Sequence, residues 1–101
     1  MRQLAKLALI GVVISGCCKE EQVPTAMQGL YSSVAKVRNE SALILAECGS
    51  PLADKAVPRL ITLMYDENPG VQSSAAYALR RIDTPEAATA LEKATNARKK
   101  H

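Results

Sequence analysis

The residues able to do chemistry are few and badly spaced for it. They are Cys17, Cys18 and Cys48, a single histidine at the last position, His101, and two adjacent acid pairs, Glu20-Glu21 and Asp66-Glu67. Common hydrolytic mechanisms need a base within hydrogen-bond reach of the nucleophile, and an imidazole on a fraying terminal residue is poorly placed for that. A zinc site needs about four ligands drawn from Cys, His and carboxylate. Adjacent acids do not converge across a cleft, and no glycine-rich phosphate loop is present. The expectation is therefore no catalytic residue, no metal site and no cofactor. Cys48 occupies a core position on a helical stripe and reads as a small packing hydrophobe. Cys18 is left as an odd thiol, able to pair between chains; if Cys17 is engaged elsewhere, only Cys18 and Cys48 are free to pair, and no disulfide framework can be read from that.

The position of Cys17 calls for a different explanation. Met1 to Lys6 carries Arg2 and Lys6 and no acid, and Leu7 to Ile14 is uninterrupted apolar sequence. That run is far short of the roughly 20 residues that span a bilayer. A basic start, a short apolar run and then small residues describe a secretory signal. The usual A-x-A cleavage site is absent, and Ile14-Ser15-Gly16-Cys17 stands in its place. This resembles the lipobox of bacterial lipoproteins, although the family more often has Leu where Ile14 stands. Cys18 would need Ser15 at the aliphatic position, so Cys17 is the better match. The resemblance implies a signal peptide over 1–16, cleavage before Cys17, a diacylglyceryl group on its thiol and usually an acylated N-terminus. It also implies a short linker over 17–21 and a place in the bacterial cell envelope. If two membranes are present, Cys18 is not the Asp that signals inner-membrane retention in that family, which points to the periplasmic side of the outer membrane. Two or more acyl chains, at about 0.8 kcal/mol per buried carbon, hold a protein stably on a membrane without a spanning helix.

Removal of 1–16 takes Arg2 and Lys6 from a net charge of +3 and leaves 85 residues near +1. Nucleic-acid binders show a basic stripe, so no nucleic-acid partner is expected. With no Phe and no Trp, the core must come from Val, Leu, Ile, Ala and Met, and a domain this small is marginal alone.

An internal repeat organises what remains. "VRNESALILAECGSP" (Val37 to Pro51) lies above "VQSSAAYALRRIDTP" (Val71 to Pro85) at an offset of 34. The same offset puts Val23-Pro24 on Val57-Pro58 and Tyr31 on Tyr65. Residues 22–55 and 56–89 form two copies, a third begins near Pro85, and the first carries an insertion around Leu52 to Lys55. Each copy reads as two helices. Core stripes are expected at Val23, Ala26, Met27 and Leu30; at Val37, Ser41, Ile44, Leu45 and Cys48; at Val57, Leu60, Ile61 and Met64; and at Val71, Ala75, Ala78, Leu79 and Ile82. Asn68-Pro69 and Thr84-Pro85 place a capping side chain before a first-turn proline, and Gly49 suits a helix end. No stretch alternates with period two. The fold class is all-α.

"AVPRLITLM" followed by "DENPGVQSSAAYALRRI" is similar to HEAT-like repeats of the short type found in phycobilisome lyases and bacterial scaffold proteins. The resemblance implies a short α-solenoid of about two and a half repeats over 22–97, ahead of a basic tail at 98–101, with second helices lining a concave side. It implies an architecture and a mode of binding but no reaction. By that geometry the lining is Asn39, Leu43 and Ala46, then Ser73, Tyr77 and Arg80, where Tyr and Arg are types enriched at interface anchors. Tyr31 and Tyr65 sit at equivalent places and read as repeat packing. The cations of the tail "ARKKH" complement a helix dipole. Together these readings describe a membrane-anchored lipoprotein presenting a helical module to an unknown protein partner. The alternatives are a lyase-like accessory protein handling a bound chromophore and a purely structural envelope lipoprotein.

Overall fold

A computed structural model describes residues 18–99 of the chain. The lipobox, with Ile14 and Cys17, and the end of the basic tail lie outside the described residues. Among the described residues five α-helices follow one another: α1 Gln22–Gly29, α2 Ala35–Cys48, α3 Val57–Leu63, α4 Pro69–Ile82 and α5 Pro85–Lys99, with a 3-10 turn over Asp54–Ala56 between α2 and α3. No strand occurs among the described residues. Pairs α1–α2 and α3–α4 are the two repeat units, α5 packs on both helices of the second pair, and α2 lies against α4.

The punctuation expected from the sequence is in place. Asn68 adopts extended backbone, its side chain accepts from the Val71 N–H at 3.1 Å, and Pro69 opens α4. Thr84 Oγ1 accepts from the Ala87 N–H at 3.1 Å at the start of α5. Positive φ ends both second helices, at Gly49 (64°) and at its repeat equivalent Asp83 (54°). The insertion expected around Leu52 to Lys55 is the turn over 49–56, which has only Asp83 and Thr84 as its counterpart between α4 and α5.

The core runs the length of the stack. Leu30, Leu45, Leu60, Leu63 and Leu79 are completely buried, with Val57 and Val71. Each such side chain contributes about 1.5–3 kcal/mol relative to an exposed one. Every residue expected on the α4 stripe is buried. On α2 the stripe needs correction. Val37 is 38% exposed, whereas Ala42 and Ala46 are buried with Leu45. The reason is that α2 is covered on two sides, by α1 and by α4. Small residues face the close contacts, while Val37 turns to the open end of the stack. Where α1 meets α2, a β-carbon on Gly29 would press against Ser41 Oγ and Cβ, so a larger residue there would force Ser41 to shift.

The cysteines also differ from expectation. Cys18 and Cys48 form an intramolecular disulfide, 30 residues apart in sequence, with 5.0 Å between their Cα atoms. Cys48 is thus not an inert core thiol and Cys18 is not an odd one. Residues 18–21, expected within a short linker, are held against the domain by this bond and by the Gln22 N–H donating to the Lys19 carbonyl at 2.8 Å. Closing a loop of this length removes chain entropy equivalent to about 3.6 kcal/mol at 25 °C, a large share of what a small domain has.

Candidate partner-binding face

Polar contacts lock one unit to the next and so fix the spacing of the second helices. The turn before each second helix is built alike. In the first, Ser32 Oγ accepts from the Val34 N–H at 3.0 Å, and Arg38 Nη1 donates to the Ser32 carbonyl at 2.8 Å. In the second, Asp66 Oδ2 accepts from the Asn68 N–H at 2.9 Å, and Gln72 Nε2 donates to the Asp66 carbonyl. Ser32 matches Asp66, and Arg38 matches Gln72, at the same offset of 34. Arg38 does one thing that Gln72 cannot. Its Nη2 continues across the unit boundary to Asp66 Oδ2 at 3.0 Å, and the two side chains are only 10% and 11% exposed. The Arg38 guanidinium, the Asn68 N–H and the more distant charge of Arg59 together hold the Asp66 carboxyl below the ordinary aspartate range, against the opposing effect of burial.

A second clamp joins the first helices. Arg59 on α3 donates through Nε and Nη2 to the Leu30 carbonyl at 3.2 and 3.1 Å, and its guanidinium lies 4.3 Å from the centre of the Tyr31 ring. It fills an acceptor left open at the end of α1 and adds a cation–π contact. Tyr31 and Tyr65 are both exposed. Against the expected packing of both between repeats, the inter-unit contact here is that of Arg59 on the Tyr31 ring, and Tyr65 lines an outer groove with Ile61 and Pro85.

The expected binding residues divide on this frame. Leu43 is 40% exposed and Tyr77, its repeat equivalent, is 37% exposed; Ser73 and Arg80 are exposed too. Asn39 is half-buried, because its Oδ1 accepts from Ser74 Oγ and ties α2 to α4. Asn39 therefore supports the face more than it lines it. Ala46, expected on the lining, is buried in the core. Sequence reasoning passed over Arg38 and Arg59. The pairing of Arg38 with Gln72, beside Ser32 with Asp66, was the available signal for the first.

Among the described residues no three His, Cys, Asp or Glu side chains gather as a metal site would require. None of their helices is long and apolar enough to cross a membrane.

A family model for HEAT repeats matches residues 23–100. The chain belongs to the HEAT-repeat family. No curated protein and no solved structure matches it. HEAT membership accounts for the stacked helix pairs. A helical interaction module is the general role of such repeats. Two HEAT units and the extra helix α5 make a short array, in which α5 covers the far side of α3 and α4.

Proposed function

We propose that this protein is a lipid-anchored bacterial envelope lipoprotein that uses its short HEAT array to bind a protein partner, without catalysis. The partner lies along α2 and α4, contacting Tyr77, Arg80, Ser73 and Leu43, with Asn39 holding the two helices in register. The observation that carries the reading is the exposure of Leu43 and Tyr77 at equivalent places on adjacent helices. Exposed apolar side chains at one repeat position make a continuous strip. Tyr supplies contact area at low entropy cost, and Arg80, one turn along, supplies a forked donor for a carboxylate or carbonyl. The anchor half of the proposal is supported by the order of basic, apolar and small residues before Cys17.

Crosslinking in intact cells tests the binding half. Tyr77→Ala with Arg80→Ala should remove the crosslinked partner while helical circular dichroism and membrane attachment stay as in the wild type. Undiminished crosslinking would refute the assignment. Cys17→Ser should release the chain from membranes or leave it unprocessed, and intact-mass spectrometry of an unmodified N-terminus at any other residue would refute the anchor.

A further inference from the structure

The disulfide and the lipobox cysteine are neighbours in sequence, and their adjacency has mechanical content. Cys18 Cα lies 5.0 Å from Cys48 Cα at the end of α2. Cys17 is joined to Cys18 by a single peptide unit, which separates consecutive Cα atoms by only about 3.8 Å. The chain after Cys18 is not slack either. Lys19 N–H donates to Gln22 Oε1 at 3.0 Å, and α1 begins at Gln22. A lipid on Cys17 would therefore pull on the folded domain itself, not on a tether.

Next to Cys18 the surface is polar, with Lys19, Glu20 and Glu21, and beyond Glu20 it becomes apolar. Val23, Pro24 and Met27 of α1, with Pro51 and Leu52 of the following turn, line a groove of about 440 Å³ flanked by Glu20 and Lys55. Leu52 is 38% exposed. The equivalent groove one unit along shares Ile61 for Met27 and Pro85 for Pro51, but Glu86 follows Pro85 where Leu52 follows Pro51. The groove next to the anchor has a greasy lip, and the distant one has an acidic lip. The charged residues lining the first, Glu20 and Lys55, balance each other, so it does not favour an anionic surface.

We propose that the Cys18–Cys48 disulfide mounts the first helix pair directly on the bilayer, with the groove of Val23, Pro24, Met27, Pro51 and Leu52 facing zwitterionic lipid. The module is then held at one orientation. This rests on lipidation of Cys17. The strip along α2 and α4 would be presented at a set height and angle, which a flexible tether cannot do.

The test uses full-length processed protein on phosphatidylcholine vesicles with brominated acyl chains, which quench nearby tryptophan. The chain has no Trp, so Leu52→Trp and Glu86→Trp each install a single reporter at an exposed position. Flotation of the protein with the vesicles reports the anchor independently of the reporters. An apolar side chain at the interface sits several ångströms into the headgroup boundary, so emission at position 52 should fall about twofold relative to unbrominated vesicles, with position 86 unchanged. Inserting about ten Gly-Ser residues between Cys17 and Cys18 gives a tether of roughly 17 Å and should abolish the difference. Equal quenching at 52 and 86 in floating protein, or quenching indifferent to the insertion, would overturn the mount and leave the anchor standing. Protein that fails to float would overturn both.

Discussion

Replacing Arg38 by glutamine gives the first unit the residue that the second unit carries at the same place, Gln72, and separates the two tasks of the arginine. Glutamine can still donate to the Ser32 carbonyl, as Gln72 does to that of Asp66. It cannot reach Asp66 across the unit boundary. Breaking a buried ion pair from one side costs about 3–5 kcal/mol, and a hydrogen bond to a charged group is worth about 1.5–3 kcal/mol. Two features push the value down. Asp66 keeps the Asn68 N–H, and Arg38 Nε is buried without a partner, an expense that leaves with the arginine. Arg38→Gln should therefore cost about 2–3 kcal/mol, or about 10–20 °C in Tm for a domain of this size. Arg38→Ala should cost about 1–3 kcal/mol more, because the Ser32 carbonyl then loses its donor. Urea unfolding of wild type, Arg38→Gln, Asp66→Asn and the double variant closes a thermodynamic cycle, with an expected coupling of about 1.5–3 kcal/mol. The cycle has a pH signature. The Asp66 carboxyl is lowered in the folded state, so its contribution is complete above the ordinary aspartate range near pH ~4 and fades as pH falls through the lowered value. Wild type should lose stability there, and Arg38→Gln should lose less. Unchanged urea midpoints for Arg38→Gln, or additive single effects, would refute the clamp.

Leu79 is completely buried on α4, which contacts α2, α3 and α5, so Leu79→Ala should cost about 2–5 kcal/mol and leave the isolated protein largely unfolded by circular dichroism. Val34 occupies the position of Asn68 with almost the same backbone angles (φ −94°, ψ 117° against −93°, 119°) but offers no capping side chain. Val34→Asn should stabilise by about 1 kcal/mol, read as a higher urea midpoint; a midpoint at or below that of the wild type would show that the two turns are not equivalent.

The helices and their order were readable because one offset repeats apolar spacing, proline and capping residues together. Asn68-Pro69 and Thr84-Pro85 act locally, and local signals survive without knowledge of neighbours. The faces of α2 were harder. Val37 is the larger apolar residue and Ala46 the smaller, so pattern alone favours Val37 for the core. Closeness of α4 on one side and α1 on the other reverses that choice. Arg38 was invisible as a structural residue because charged side chains are exposed by default. The Cys18–Cys48 bond depends on a distance of a few ångströms across the fold, which two cysteines 30 residues apart do not announce. On the candidate face, the exposure of Leu43 and Tyr77 followed from periodicity, whereas the engagement of Asn39 by Ser74 required the actual packing of α2 on α4.

The single covalent staple sits in the unit whose local signals are poorest. The first pair has no capping side chain at Val34 and a glycine pressed on Ser41. The second has Asn68, Pro69 and a complete stripe. In a linear array each unit feels only its neighbours, so the bond does not strengthen the whole evenly. While the cysteines are joined, opening is expected to begin at α5, where among residues 85–97 only Ala87 and Ala94 are buried, and to run towards the stapled pair. Once they are reduced, the first pair becomes the weak link and unravelling starts from the opposite end. Oxidation thus sets the direction in which the array comes apart.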